Sequence, residues 1–238
     1  MTDKPHLFDS YPARILELTT DKIRDWSLDN SQHFGIKIRG LHWALETSKA
    51  DRILLLDTDM FWTRDPIELS KLINDESVVM YVNEGPIQNS SNKSINRFQQ
   101  ALDGKKFTTS YFEYQLSDSS TMNGSAILGL AKRNRHLLDE AFNLFSILNP
   151  LVDAHTVEQF ALSEVFRIRG LEMFWGKNCI NDWSSIGRKN YVTPILGEFF
   201  VKYGENNFDQ HLNKFDSIKI KRPLKVFLKQ KISRLLSK

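Results

Sequence analysis

The run Ile53-Leu54-Leu55-Leu56 constrains this chain more than any other stretch. Successive side chains of a strand point to opposite faces, so a half-exposed strand alternates apolar and polar residues. Four large apolar residues in a row therefore predict a strand covered on both faces, as in a sheet flanked by helices. The run ends in Asp57-Thr58-Asp59. On an extended segment, carboxylates two residues apart point the same way, so Asp57 and Asp59 can converge on one ion. If the sheet is parallel here, they stand at the carboxyl end of a strand, where open α/β sheets hold their ligands. Hard oxygen ligands suit Mg2+ or Mn2+, which complete their shells with water and substrate phosphates. The alternative is that Asp-x-Asp merely opens a solvated loop.

The flanking sequence alternates short apolar runs with helical periodicity, the signature of an α/β protein. "ARILELT" reads as a first strand and Asp21 to Asp29 as a short helix. Phe34, Ile38, Leu41 and Leu45 recur at helical spacing and predict a helix ending near Ser48. After the aspartates, Pro66 suits the first turn of a helix in "PIELSKLI", and "SVVMYVN" reads as a strand. "NEGPIQNSSNKS" is a loop by composition, and a helix near Ser94 to Leu102 leads through a polar segment to "TMNGSAILGL", a glycine-containing strand. Leu137, Leu138, Ala141, Leu144, Phe145 and Leu148 predict an amphipathic helix stopped by Pro150, and "HTVEQFALSEVFRIRG" a second one ended by Gly170.

At 238 residues with 41% hydrophobic content, the chain can bury a sizeable core as one body. The single cysteine, Cys179, excludes an internal disulfide framework and a cysteine-based metal knuckle. No apolar h-region opens the chain and no run of about 18 apolar residues occurs, which predicts an intracellular, non-spanning protein. The formal charge of +3 conceals an asymmetry: Lys219 to Lys238 holds eight Lys/Arg and no acid, and without them 24 basic residues stand against 29 acidic ones. A nucleic-acid binder would spread positive charge over a folded face with aromatics interleaved; no such stripe occurs, so nucleic acid is not an expected partner.

"KADRILLLDTDMFWTRDPIEL" resembles the Asp-x-Asp region of nucleotide-sugar-dependent glycosyltransferases of the GT-A fold. "HFGIKIRGLHWAL" is similar to the helix preceding that motif in bacterial polysaccharide and lipopolysaccharide glycosyltransferases. "TMNGSAILGL" resembles their strand beside the sugar, and "TVEQFALS" their acidic-Gln helix start. The four stretches stand in family order within Ala13 to Tyr191. The resemblance implies a GT-A-like, mixed but mainly parallel sheet flanked by helices. It implies that Asp57 contacts the donor nucleotide and the metal, and that Asp59 ligates the metal directly. Asn123 and Gly124 would lie beside the transferred sugar, and Lys37 would contact a phosphate or stay solvated on its helix. Glu158 and Gln159 would face the reaction centre as catalytic residues, or simply form a polar helix start. The cofactor would be Mn2+ or Mg2+, acting as a Lewis acid on the leaving diphosphate. The substrates would be a nucleotide-sugar donor and a glycan or glycolipid acceptor.

Two positions depart from the family pattern. Where relatives supply a histidine as a further metal ligand, this chain reads "INDWSSIGRK", and Asp182 either takes its place or caps a helix. Only 56 residues precede Asp57, which predicts a sheet lacking its first strand-helix units. The expected organisation is a short GT-A-like body over residues 1–215 and a basic amphipathic tail over 216–238. In the tail, Leu224, Phe227, Leu228, Ile232 and Leu235 share one helical face after Pro223, the profile of a helix lying on an anionic membrane surface. The implied location is the inner face of the cell membrane, reached from the cytoplasm. A catalytically silent relative that binds a membrane or a partner through this tail is the other reading.

Overall fold

A computed structural model describes residues 1–204, 207–215 and 223–228, and its architecture is mixed α/β. The chain divides into two compact units, Thr19–Asn181 and a smaller one made of Met1–Leu18 with Asp182–Lys238. In the larger unit, α1 (Thr20–Trp26) and α2 (Gly35–Thr47) precede β1 (Arg52–Leu56), β2 (Met60–Trp62) and α3 (Ile67–Lys71). Then follow β3 (Ser77–Met80), β4 (Asn83–Pro86), α4 (Lys93–Leu102), β5 (Lys106–Thr108), β6 (Glu113–Gln115), β7 (Thr121–Asn123) and β8 (Ile127–Ala131). Helices α5 (Leu137–Leu148) and α6 (Val157–Ile168), then β9 (Glu172–Trp175), lead to β10 (Ile180–Asp182) at the boundary between the units.

The apolar run of β1 is divided between two cores. Ile53 and Leu55 pack against one cluster, which contains Ile38, Leu41 and Leu45 of α2 together with Leu144 and Phe145 of α5. Leu54 and Leu56 pack against a second, which contains Leu69 and Ile73. Strand β3 repeats the pattern, with Val78 and Met80 in the first cluster and Val79 in the second. Both faces of the sheet are thus covered, and the fully buried side chains of β3, Val78, Val79 and Met80, contribute roughly 1.5–3 kcal/mol each by leaving water. The second core is so close to the sheet that a Cβ on Gly129 would stand 2.6 Å from Ile73 Cδ1, 2.9 Å from Leu54 Cδ2 and 3.0 Å from Val79 Cβ.

The central sheet has the order β1-β8-β3-β9. β8 runs antiparallel to both β1 and β3, and β3 runs parallel to β9. The expectation of a mainly parallel sheet is corrected: β1, β3 and β9 share a direction, yet β8 enters between two of them, so only one ladder is parallel. A continuous apolar run reports burial on both faces and is silent about the direction of its neighbour.

Three local readings also change. "ARILELT" forms no strand and contributes only a single bridge, from Glu17 to Thr2 within the smaller unit. "TMNGSAILGL" is two strands, β7 and β8, and β7 pairs with β4 inside the stretch expected to be a loop. The polar segment after α4 folds as the β5–β6 hairpin. Helix α6 is buried along all of Val157–Phe166, including Glu158, Gln159, Ser163 and Glu164, and ends before Gly170 at φ 71°.

In the smaller unit, α7 (Ile186–Tyr203) and α8 (Phe208–Lys214) are the main elements, and residues 224–228 are helical. The rest of the predicted tail helix, with Ile232 and Leu235, lies outside the described residues. No helix among the described residues is long and apolar enough to cross a membrane.

Candidate functional site

Asp57 follows the last residue of β1, and its backbone N–H donates to the Ala126 carbonyl at 3.0 Å. The chain then turns, with the Met60 N–H donating to the Asp57 carbonyl at 3.2 Å. Asp57-Thr58-Asp59 is therefore a turn between β1 and β2, and the strand alternation expected to align the two carboxylates does not operate here. The two charges still interact. The Asp57 pKa is raised, chiefly by burial against the relief given by Lys37, and the Asp59 charge adds to the rise.

Lys37 is not a solvated lysine. Its side chain is 11% exposed, and Nζ lies 2.9 Å from Asp57 Oδ1 and 3.6 Å from Glu158 Oε1. It also donates to the carbonyl of Ser125 at 3.3 Å and to its Oγ at 3.2 Å. The Ser125 hydroxyl in turn donates to Glu158 Oε1 at 2.5 Å. Helix α2 supplies the ammonium, the end of β1 one carboxylate, the β7–β8 junction the hydroxyl and the start of α6 the second carboxylate. Burial raises the Glu158 pKa, Lys37 and Ser125 oppose the rise, and Asp57 adds to it. One ammonium thus serves two carboxylates. Glu164, also buried on α6, is fully matched by contrast: Arg167 bonds both its oxygens, and Tyr114 and Ser120 donate to Oε2.

Gln159 extends the cluster. Its Oε1 accepts from the Ser125 N–H at 3.4 Å and its Nε2 donates to Glu84 Oε1 at 3.1 Å. The Glu84 pKa is raised by burial, against the pull of Gln159 and His155. Gly124 is locked by backbone bonds to Tyr81 and Val82, both 2.7 Å, and a Cβ there would stand 3.2 Å from Glu84 Oε1. A Cβ there would also stand 3.2 Å from Tyr81 Cδ1 and 3.3 Å from Val82 Cγ1, so these neighbours would have to yield by a few tenths of an ångström. Asn123 is buried, with its amide fixed at both ends: Nδ2 donates to Thr121 Oγ1 and Oδ1 accepts from Trp175 Nε1.

Five of the residues named from the sequence, Lys37, Asp57, Gly124, Glu158 and Gln159, therefore meet in one hydrogen-bonded neighbourhood. Asp182 belongs to the smaller unit, where Arg188 Nη1 lies 2.6 Å from Oδ2 and the Ser184 hydroxyl donates to Oδ1. Burial would raise its pKa, but those bonds more than offset burial and hold it below the ordinary carboxyl range. His211, also in the smaller unit, has both ring nitrogens engaged, by Tyr11 and by the Gly204 carbonyl. Among the described residues, no three His, Cys, Asp or Glu side chains form a metal-holding group. Mg2+ and Mn2+ are commonly held by one or two carboxylates plus substrate phosphates, the donor chemistry that Asp57 and Asp59 offer. An ion at Asp57 must share that carboxylate with Lys37 or displace the ammonium.

Sequence reasoning missed Ser125 and Glu84. A hydroxyl beside the apolar run of β8 was the available signal for Ser125, whereas Glu84 sits in a stretch that reads as loop and carries no such signal. The chain matches no protein-family model and no curated protein.

Proposed function

We propose that the chain is a GT-A-like glycosyltransferase that moves a sugar from a nucleotide-diphosphate-sugar donor to a glycan or lipid-linked saccharide, as in surface polysaccharide or lipopolysaccharide synthesis. The observation that carries the reading is the junction of Lys37, Asp57, Ser125, Glu158 and Gln159. A transferase of this kind needs a hard-oxygen pair for Mn2+ or Mg2+, a cation for the diphosphate and a polar group near the sugar. Asp57 and Asp59, Lys37, and Glu158 with Gln159 fill those roles in order, with Gly124 and Glu84 beside them. The ion, when bound, supplies Lewis-acid stabilisation of the leaving diphosphate. The acceptor side is placed at the cytoplasmic face of the membrane, on the strength of the basic tail.

A second reading has one observation in its favour. The Lys37 ammonium holds Asp57, one of the two proposed ligands, as a built-in cation would in a catalytically silent relative. Calorimetry with uridine, guanosine and cytidine diphosphates, with and without Mn2+, separates the two. The transferase reading expects Mn2+-dependent binding of one of them and its loss in Asp59→Ala. No binding of any diphosphate under either condition leaves the silent relative standing.

A further inference from the structure

Trp175 ends β9, the edge strand of the central sheet, in register with Met80 of β3. Residues paired in a ladder point to the same face, so its indole lies on the side where Met80 packs with Phe160 and Ala161 of α6. The indole N–H donates to Asn123 Oδ1 at 3.2 Å. Tyr81 stands between the two chains: its N–H donates to the Gly124 carbonyl at 2.7 Å, and its carbonyl accepts from the Lys177 N–H at 2.9 Å. The indole therefore crosses over the β3–β4 segment to reach Asn123.

Both ends of that bridge are fixed. The Gly176 N–H donates to the Met80 carbonyl at 2.9 Å, and Asn123 is held by Thr121 Oγ1 and, through its backbone N–H, by Ser163 Oγ of α6 at 3.0 Å. Trp175 nevertheless remains 48% exposed. Phe34, the other exposed ring near the cluster, already faces Lys37 Nζ at 5.8 Å and His155 at 6.2 Å. Among the described residues, no ring and no cation packs on Trp175. A tryptophan whose N–H is engaged and whose ring is open offers a ligand its negative π face.

The segment that the indole crosses leads into Asn83 and Glu84, both exposed. Glu84 is joined through Gln159 to Ser125 and so to Glu158. A carboxylate at this place repels a phosphate and accepts from hydroxyl groups. A pyranose matches both features, with an apolar C–H face to lay on the ring and hydroxyls at its rim. We propose that Trp175 is the platform on which a pyranose ring of the saccharide substrate stacks, with Glu84 receiving its hydroxyls. The proposal rests on the transferase reading for the class of ligand and adds a residue that reading does not use.

The test is to titrate the isotope-labelled full chain with the methyl glycosides of glucose, galactose, mannose and N-acetylglucosamine. At least one should move the Trp175 indole N–H resonance saturably. Trp175→Ala should weaken binding of that glycoside at least about tenfold, and Trp175→Phe, which keeps a ring without the N–H, by no more than about threefold. Mn2+-dependent binding of a nucleoside diphosphate should be the same in both variants as in the parent. Equal losses in the two variants would assign the effect to the Asn123 bond instead of the ring face, and overturn the proposal. So would unaltered glycoside binding in Trp175→Ala, or a Trp175 resonance that answers to nucleoside diphosphates and to no glycoside, because the stacked group would then be a base. Diphosphate binding with no glycoside binding overturns the platform and leaves the transferase reading standing; glycoside binding at Trp175 with no diphosphate binding does the reverse.

Discussion

Replacing Lys37 with methionine keeps the length of the side chain and removes the ammonium shared by Asp57 and Glu158. Breaking a buried ion pair by deleting one partner commonly costs about 3–5 kcal/mol. Here the loss has a ceiling, because Glu158, with its side chain only 2% exposed, can take up a proton instead of remaining charged. At pH 7 that protonation, from an ordinary carboxyl value of 4.5, costs about 3.4 kcal/mol at about 1.36 kcal/mol per pH unit. The Glu158 part of the destabilisation at neutral pH is therefore less than about 3.4 kcal/mol, because its pKa is already raised in the parent. Its pH dependence follows from the raised Glu158 pKa, which rises further without the ammonium. The folded variant then binds more protons than the folded parent, so its deficit is largest at pH 7 and shrinks as the pH falls toward the parent's own raised Glu158 value. Urea unfolding followed by tryptophan fluorescence suits the measurement, since Trp26, Trp43, Trp62 and Trp175 all lie in the larger unit with Lys37. A variant as stable as the parent at pH 7, or a deficit that stays constant between pH 4.5 and 7, would refute the shared-counterion account.

Gly129→Ala places a methyl group against Ile73, Leu54 and Val79, and overpacking of this kind costs about 1–3 kcal/mol. A urea midpoint equal to that of the parent would show that the second core yields at no cost. For Asp182, the lowered pKa means that its pairing contributes stability above the unfolded carboxyl value and loses it as the pH falls through the folded one. Carbon-detected titration should place Asp182 below the ordinary value of 3.8 in the parent and above it in Arg188→Ala, where burial acts with less opposition. No movement between the two would discount the Arg188 pairing.

The sequence carries one kind of information well. "RILLL" reports that both faces of a strand are covered, and β1 divides its side chains between two cores accordingly. The periodicity of Leu137 to Leu148 places α5 to the residue, and Phe34 to Leu45 locates α2. These are statements about how much water each side chain meets, and a residue pattern records that directly. The same pattern misjudged "ARILELT", because apolar residues there serve a unit other than the sheet.

Which side chains meet was settled by the tertiary structure. The alternation rule aligns Asp57 and Asp59 only on an extended backbone, and the turn at Met60 replaces that geometry. Lys37 reads equally well as a solvated lysine until α2 packs on the sheet and buries it between Asp57 and Glu158. The direction of β8 and the place of Asp182 in another unit are likewise invisible in the order of residues. The sequence by itself determined the α/β class, the buried strand and the residue types available for chemistry, since each depends on local pattern. The tertiary structure decided their partners, because an ion pair or a groove exists only when segments far apart in the chain are brought within a few ångströms.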